Sequence, residues 1–467
     1  MSALRVVMTA ALLAVLWVAP AAGDGHEGAA EPDSAAATAD ASDAEAKPAP
    51  PKKKRKKKAP LTVEQKQKLR RNFAINEERK KLQRKYPLRS RTGRLHLAAT
   101  SALDQEKAQE AVDILSKLTI ARLNPFEAAR TYQLRAFASY ANGDAAAAVE
   151  NFQNAIAQEA LLLDEEIGLR FNVAQLQAAQ QKWPDVIDGL HKWFEYSIEE
   201  KPISHYLLAV AYYQTEQPDK SIEEAKIAVD LAEQPKEGWL TLLAALYVSK
   251  ENFDEAIPVF EELVLRYPKK QYWVQLSLLW GARENYKHAL AVQQIAYEQG
   301  LLDEGDELER LARSYLYHEL PYPAALVLQK GFDEGLIEPE VDSLELLSSS
   351  WIAAREYEKS LGPLSKAAEI SEDGNLMVRL GQVYMQREEW STAAELLERG
   401  VGKGGLDEPG NAQLLLGICF YNDARVARAK SVFAQAARYE KVRQAAEGWI
   451  VHIDREQKAA GAESTGG

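Results

Sequence analysis

Between Arg94 and Tyr439 apolar residues recur at helical spacing, three or four apart, in blocks that restart about every 35 residues. The clearest block runs Trp239-Leu240-Thr241-Leu242-Leu243-Ala244-Ala245-Leu246-Tyr247, followed by Phe253, Ala256, Phe260, Leu263 and a closing Pro268. The order returns as Leu380, Gly381, Tyr384, Trp390, Ala393 and Leu397, and again as Leu416, Gly417, Phe420, Ala429, Phe433 and Ala436. Each block predicts two helices joined by a tight turn. Ala244, Gly381 and Gly417 fall where the first helix must press against the second, and Ala256, Ala393 and Ala429 are the matching small positions on that second helix. Large residues three or four away fill the remaining groove. Aligning on the small residue of the second helix gives Ala111, Ala148, Val186, Ser221, Ala256, Ala289, Ala324, Ser360, Ala393 and Ala429, with gaps of 33 to 38 residues.

Ten units at this spacing predict an all-α chain. A lone pair of helices buries too little to offset the ordering of its backbone, so neighbours must stack into one solenoid. The pattern resembles the tetratricopeptide repeat, which implies a right-handed superhelical array with a binding surface in place of a catalytic pocket. The array is expected over residues 95–439, with a weak first unit that lacks aromatics at the usual places. Val442 to Gln457 carries Trp449, Ile450 and Ile453 on one stripe and is expected to form a capping helix (440–457), leaving 458–467 as a disordered tail.

The N-terminal residues are built differently. Arg5, an apolar stretch from Val6 to Val18 and Ala19-Pro20-Ala21 have the layout of a secretory signal peptide over residues 1–22, cleaved near Ala21, which places the mature protein in the periplasm. No Cys follows the apolar stretch, so lipid attachment there is not expected. Residues 23–51 are Ala, Pro and acidic residues without large apolar side chains, an expected disordered linker. A basic arm, expected to be partly helical, covers 52–94 and opens with Lys52, Lys53, Lys54, Arg55, Lys56, Lys57 and Lys58.

Charge sharpens this division. The net charge of −12 splits into −5 for residues 1–51, +16 for 52–94 and −23 for the remainder. The arm therefore has three candidate uses: docking on its own acidic array, for example at Asp303 to Glu307; holding the protein to an anionic membrane surface or partner; or nuclear import, which the signal peptide contradicts. Leu69, Phe73 and Leu82 give it only a weak apolar side. The acidic body and the lack of aromatics between the basic residues argue against nucleic acid.

Candidate chemistry is sparse. Val401-Gly402-Lys403-Gly404-Gly405 lacks the hydroxyl residue of a phosphate loop and reads as a flexible turn between repeats. The seven His are scattered, none at the i, i+4 spacing of a helical metal site, and Cys419, the one cysteine, reads as core. Neither enzyme activity, a metal nor a cofactor is expected.

In proteins of the resembled family the first helix of each pair lines the inner groove. Carried onto this chain, that face comprises Gln133, Phe137, Tyr140, Asn172, Gln175, Tyr206, Tyr213, Gln214, Gln275, Arg313, Tyr317, Arg379, Gln382, Gln386 and Asn422. Amides, Tyr and a few Arg suit an extended peptide. The Lys and Asn set that captures acidic C-terminal tails in some family members is missing. The whole layout resembles periplasmic tetratricopeptide proteins that accompany TonB–ExbB–ExbD energy-transduction systems. That implies a scaffold for nutrient uptake with partners of the TonB, ExbB or ExbD type. A cell-envelope assembly adaptor (pilus, secretion or outer-membrane biogenesis) and a regulatory subunit of a cell-wall enzyme are the alternatives.

Overall fold

The structure, a computed structural model, describes residues 62–465, with side chains to 458. The expected signal peptide, linker and Lys52–Lys58 run lie outside the described residues. Twenty-two α-helices are present and no strand is found among the described residues. The chain divides after Leu263 into two compact units.

The first unit opens with α1 (Val63–Lys85). Pairs follow: α2 (Ser90–Asp104) with α3 (Ala108–Ser116), α4 (Pro125–Ala141) with α5 (Ala145–Ala157), and α6 (Leu163–Ala179) with α7 (Trp183–Tyr196). Next come α8 (Pro202–Gln214) with α9 (Pro218–Leu231), then α10 (Glu237–Ser249) and α11 (Phe253–Arg266), within which the division falls. The second unit holds α12 (Lys270–Ala282) with α13 (Tyr286–Glu298), α14 (Gly305–Tyr317) with α15 (Pro321–Asp333), and α16 (Val341–Ala353) with α17 (Tyr357–Ile370). It continues through α18 (Asn375–Gln386) with α19 (Trp390–Lys403) and α20 (Pro409–Asn422) with α21 (Val426–Ala436), ending at α22 (Arg443–Thr465). From α2 to α10 and from α12 to α22, successive helices pack on their neighbours, while α1 packs on α6 and α7.

The small-residue register is the core of this packing. Nine of its ten members are fully buried and Ala289 is 8% exposed. At Gly417 a Cβ would sit 2.5 Å from the Phe433 ring, and at Gly381 it would sit 2.8 Å from Leu397 Cγ. Any side chain there would force the two helices of the pair apart.

Each turn from first to second helix also has one conformation. The residue five places before the register position has positive φ in all ten turns: Glu106, Gly143, Gln181, Glu216, Glu251, Glu284, Glu319, Arg355, Glu388 and Ala424. The next residue's N–H reaches back five positions to a helix carbonyl, as in Lys107 to Ala102, Asn252 to Tyr247 and Arg425 to Phe420, at 2.8 to 2.9 Å. This is the Schellman closure of a helix end.

The structure corrects three expectations. Val401, Gly402 and Lys403 continue α19, and the turn that follows is held: Gly404 O accepts from Gly374 N at 2.9 Å, and a Cβ on Gly374 would meet Gly400 O at 2.1 Å. The C-terminal helix does not stop near Gln457 but continues to Thr465, through Ala-rich residues that favour helix. Its inner face matches the expected stripe, with Ile453 fully buried and Trp449 stacked on Phe433 at 5.5 Å. Third, the described part of the basic arm does not meet Asp303, Glu304 or Glu307; Lys270 bridges all three at 2.6 to 2.9 Å.

The described part of the arm docks elsewhere. A capping box starts α1, with Thr62 Oγ1 accepting from Gln65 N and Gln65 Oε1 from Thr62 N. One side of the helix then meets two successive inter-repeat turns. Lys68 Nζ and Asn72 Nδ2 donate to Phe194 O and Tyr196 O at 3.1 and 2.7 Å, and Arg71 donates to Glu195 O between them. These are the last carbonyls of α7, where positive charge is favoured by the helix dipole. One turn earlier in the array, Asn76 Oδ1 accepts from Leu163 N at 2.7 Å, Gln83 Nε2 donates to Ala160 O at 2.9 Å, and Arg79 pairs with buried Glu166. Beyond α1, Arg89 closes the series at a third turn, donating to Arg122 O and to the buried carboxylate of Glu127. The segment is a strap across the edge of the first three repeats.

Candidate functional site

The second unit holds a cleft on its first-helix face. Arg379, Gln382 and Gln386 lie three and four residues apart on α18, so they share one side of it. Arg379 Nη1 donates to Glu345 Oε1 at 2.7 Å and its Nη2 to Ser349 Oγ at 2.8 Å, both one turn apart on α16. The guanidinium is thereby fixed in orientation and its charge is matched by Glu345. Beside it a cavity of about 380 Å³ opens, walled by Ile352 of α16, Tyr357 of α17, Val383 and Met385 of α18 and Leu415 of α20.

The cleft is apolar at its walls and polar along one ridge. Gln382 is half-buried, Gln386 is exposed, and neither side-chain amide has a protein partner among the described residues. Each offers N–H donors and a C=O acceptor, the complement of an extended peptide backbone. With Arg379 already neutralised, the ridge does not select an acidic ligand. The arrangement suits non-covalent binding: amides take up main chain, while Ile352, Met385 and Leu415 cover side chains.

The remaining groove residues divide. In the second unit Gln275 and Tyr317 are exposed, Tyr317 resting edge-on against Tyr286 at 5.3 Å, and Arg313 is exposed but paired with Glu309. Asn422 is exposed and donates its amide to Ile418 O. In the first unit Tyr140 is exposed, Asn172, Gln175, Tyr213 and Gln214 are half-buried, and Gln133 accepts from Arg130 at 3.0 Å. Two are taken up by packing instead. Phe137 is half-buried against the core, edge-on to Phe152 at 5.1 Å, and Tyr206 is buried, stacked on Trp239 at 5.5 Å. Burial pushes the Tyr206 hydroxyl up to about 12. An aromatic ring on a helix face fits either role; here the second helix of the same repeat covers Phe137 and the next repeat covers Tyr206.

Glu345 and Ser349, which hold Arg379, were absent from the sequence expectation. The repeat contained part of the signal, since Glu345 lies 34 residues before Arg379, one position from its equivalent place in the preceding unit. Cys419 is fully buried, and burial pushes its thiol up to about 12, far from a reactive thiolate. No group of three or more His, Cys, Asp or Glu among the described residues is placed to hold a metal ion.

A family model of the tetratricopeptide repeat matches residues 240–271. No curated protein matches the chain. Among solved structures, the chain is similar to YrrB, a tetratricopeptide-repeat protein with an unusual peptide-binding site. The identity is 15%, the coverage 36% of this chain and 84% of that one, and the TM-score 0.31. It is also similar to a tetratricopeptide-repeat protein from Parabacteroides merdae, at 17% identity, 55% and 98% coverage and a TM-score of 0.31. A third similar structure is MamA, at 17% identity, 38% and 93% coverage and a TM-score of 0.32. The matched unit is the one read most clearly from the sequence, and its register, turn and buried small residues recur in the units around it. Residues 240–271 match the tetratricopeptide repeat, and the described residues form an all-α array of helix pairs.

Proposed function

We propose that the protein is a non-enzymatic scaffold that holds an extended segment of a partner protein in the α16–α18–α20 cleft. The observation that carries this reading is the unpaired ridge of Gln382 and Gln386 beside a pre-oriented Arg379 and an apolar cavity. Main chain is recognised by the amides and side chains by the cavity wall, the division of labour that peptide grooves use. The signal-peptide layout of residues 1–22 supports a periplasmic location, and the general layout supports a partner of the TonB, ExbB or ExbD type in a nutrient-uptake system.

The test is a crosslinked pull-down of the tagged protein from whole envelopes, beside a variant carrying Arg379→Glu, Gln382→Ala and Gln386→Ala. TonB, ExbB or ExbD recovered with the wild type and lost from the variant is the expected result. Recovery of pilus, secretion or outer-membrane assembly factors, or of a cell-wall enzyme, would replace the partner and keep the scaffold. Partners retained undiminished by the variant would remove the cleft from the reading.

A further inference from the structure

The strap has a second side. The stripe that meets the repeats runs through Lys68, Asn72, Asn76, Arg79 and Gln83. Displaced on average by about 125° around the helix runs another stripe: Lys66, Arg70, Phe73, Lys80 with Lys81, and Arg84. All of these are exposed. The acidic residues of α1 are internally matched: Glu64 with Lys68, Glu77 with Lys80 and Glu78 with Lys81. Lys66, Arg70 and Arg84 form no ion pair among the described residues, and Arg84 only adds from a distance to the field that lowers the Glu77 carboxyl behind its Lys80 partner. Large apolar side chains stand among them, with Val63 73%, Leu69 47% and Phe73 67% exposed. A protein that can bury Trp193 and Phe152 in its repeats leaves Phe73 in water on a cationic helix.

We propose that this outward face of α1 docks flat on a bilayer containing anionic phospholipid, with Phe73 and Leu69 entering the interfacial layer and Lys66, Arg70 and Arg84 meeting headgroup phosphates. Charge complementarity selects an anionic partner, and the interleaved apolar side chains select the bilayer among anionic partners. An interface offers both phosphate and an apolar layer, whereas a nucleic-acid backbone leaves Phe73 and Leu69 as they are. The inward hydrogen bonds to the repeat turns fix which side of α1 faces out, so docking needs no release of the strap. The acidic remainder of the chain is screened beyond about 8 Å at physiological salt. This inference is independent of the peptide cleft.

The test uses the full-length protein with vesicles of phosphatidylglycerol and phosphatidylcholine, or of phosphatidylcholine alone, in sedimentation assays. Wild type should bind the anionic vesicles at least tenfold more tightly and lose that preference in high salt. Lys66→Glu, Arg70→Glu and Arg84→Glu together, with residues 52–58 intact, should weaken binding at least tenfold. A polarity-sensitive dye on Phe73→Cys should shift to the blue on anionic vesicles; the native Cys419 is fully buried and would not be labelled in the folded protein. The dye reports on α1 itself, whatever the apolar N-terminal residues do. Undiminished binding by the charge-reversed variant, a dye that stays in water on bound protein, or tighter binding to a single-stranded oligonucleotide than to vesicles would each overturn the proposal.

Discussion

At the residue scale, nine of the ten turns place a side chain where the backbone favours none. Glu388 has φ of 61°, a left-handed conformation that costs an L-residue about 1–2 kcal/mol and glycine little. Glu388→Gly should therefore stabilise the second unit by about 1 kcal/mol, and Glu388→Val should destabilise it, as read from urea unfolding midpoints. Equal midpoints for all three proteins would show that the turn is not conformationally costly. Glu127 is a different kind of constraint. Burial would raise its carboxyl, but donors from the Arg89 side chain, the Arg89 and Asn124 backbone and Thr92 outweigh this and hold it at about 2, below the usual 4.5. Its contribution is thus complete above the unfolded value and is lost as pH falls from 4.5 towards 2, worth about 3 kcal/mol when fully present. The stability gap between wild type and Glu127→Gln should close across that window. A gap unchanged between about pH 6 and pH 3 would mean that the ionised form is not what Arg89 stabilises.

At the element scale, two contacts decide how pieces meet. Gly374 and Gly400 bring the start of α18 and the end of α19 into backbone contact. Gly374→Ala would drive a Cβ into a carbonyl that has no flexible atom to yield, and should cost more than about 2 kcal/mol of unfolding free energy. A loss below half that would mean the segment can shift. The strap makes a local prediction. Replacing Asn72, Asn76 and Arg79 with Ala should speed amide hydrogen exchange around residues 160–166 and 194–196 and leave the second unit unchanged. Unaltered exchange at those turns would contradict the docked position of α1.

These elements were not equally legible in the sequence. The register Ala111 to Ala429 could be read because steric exclusion restricts residue type directly. The turn conformation could not, because only Gly143 carries the residue that marks positive φ, and Glu stands in six of the others. The strap was illegible because its inward side is Asn, Gln, Lys and Arg, and most of its partners are backbone groups that leave no trace in residue identity. Arg379, Gln382 and Gln386 were found together because helical phase alone sets them on one face. Phe137 and Tyr206 were harder to place, because phase does not say which aromatic ring the paired helix or the next repeat will cover.

At the scale of the whole molecule, the repeats supply two kinds of surface, one in each unit, neither of which needs bond-making chemistry. The cleft at Gln382 is neutral, amide-edged and apolar-walled, and the strap face is cationic with interleaved apolar side chains. The most direct test of the scaffold reading is a photo-crosslinking amino acid placed at Gln382 and, in a second protein, at the exposed Glu395 of α19 outside the cleft. The account predicts a discrete adduct with an envelope protein from position 382 and none from position 395. No adduct at 382, or the same adducts from both positions, would contradict a partner held in the cleft.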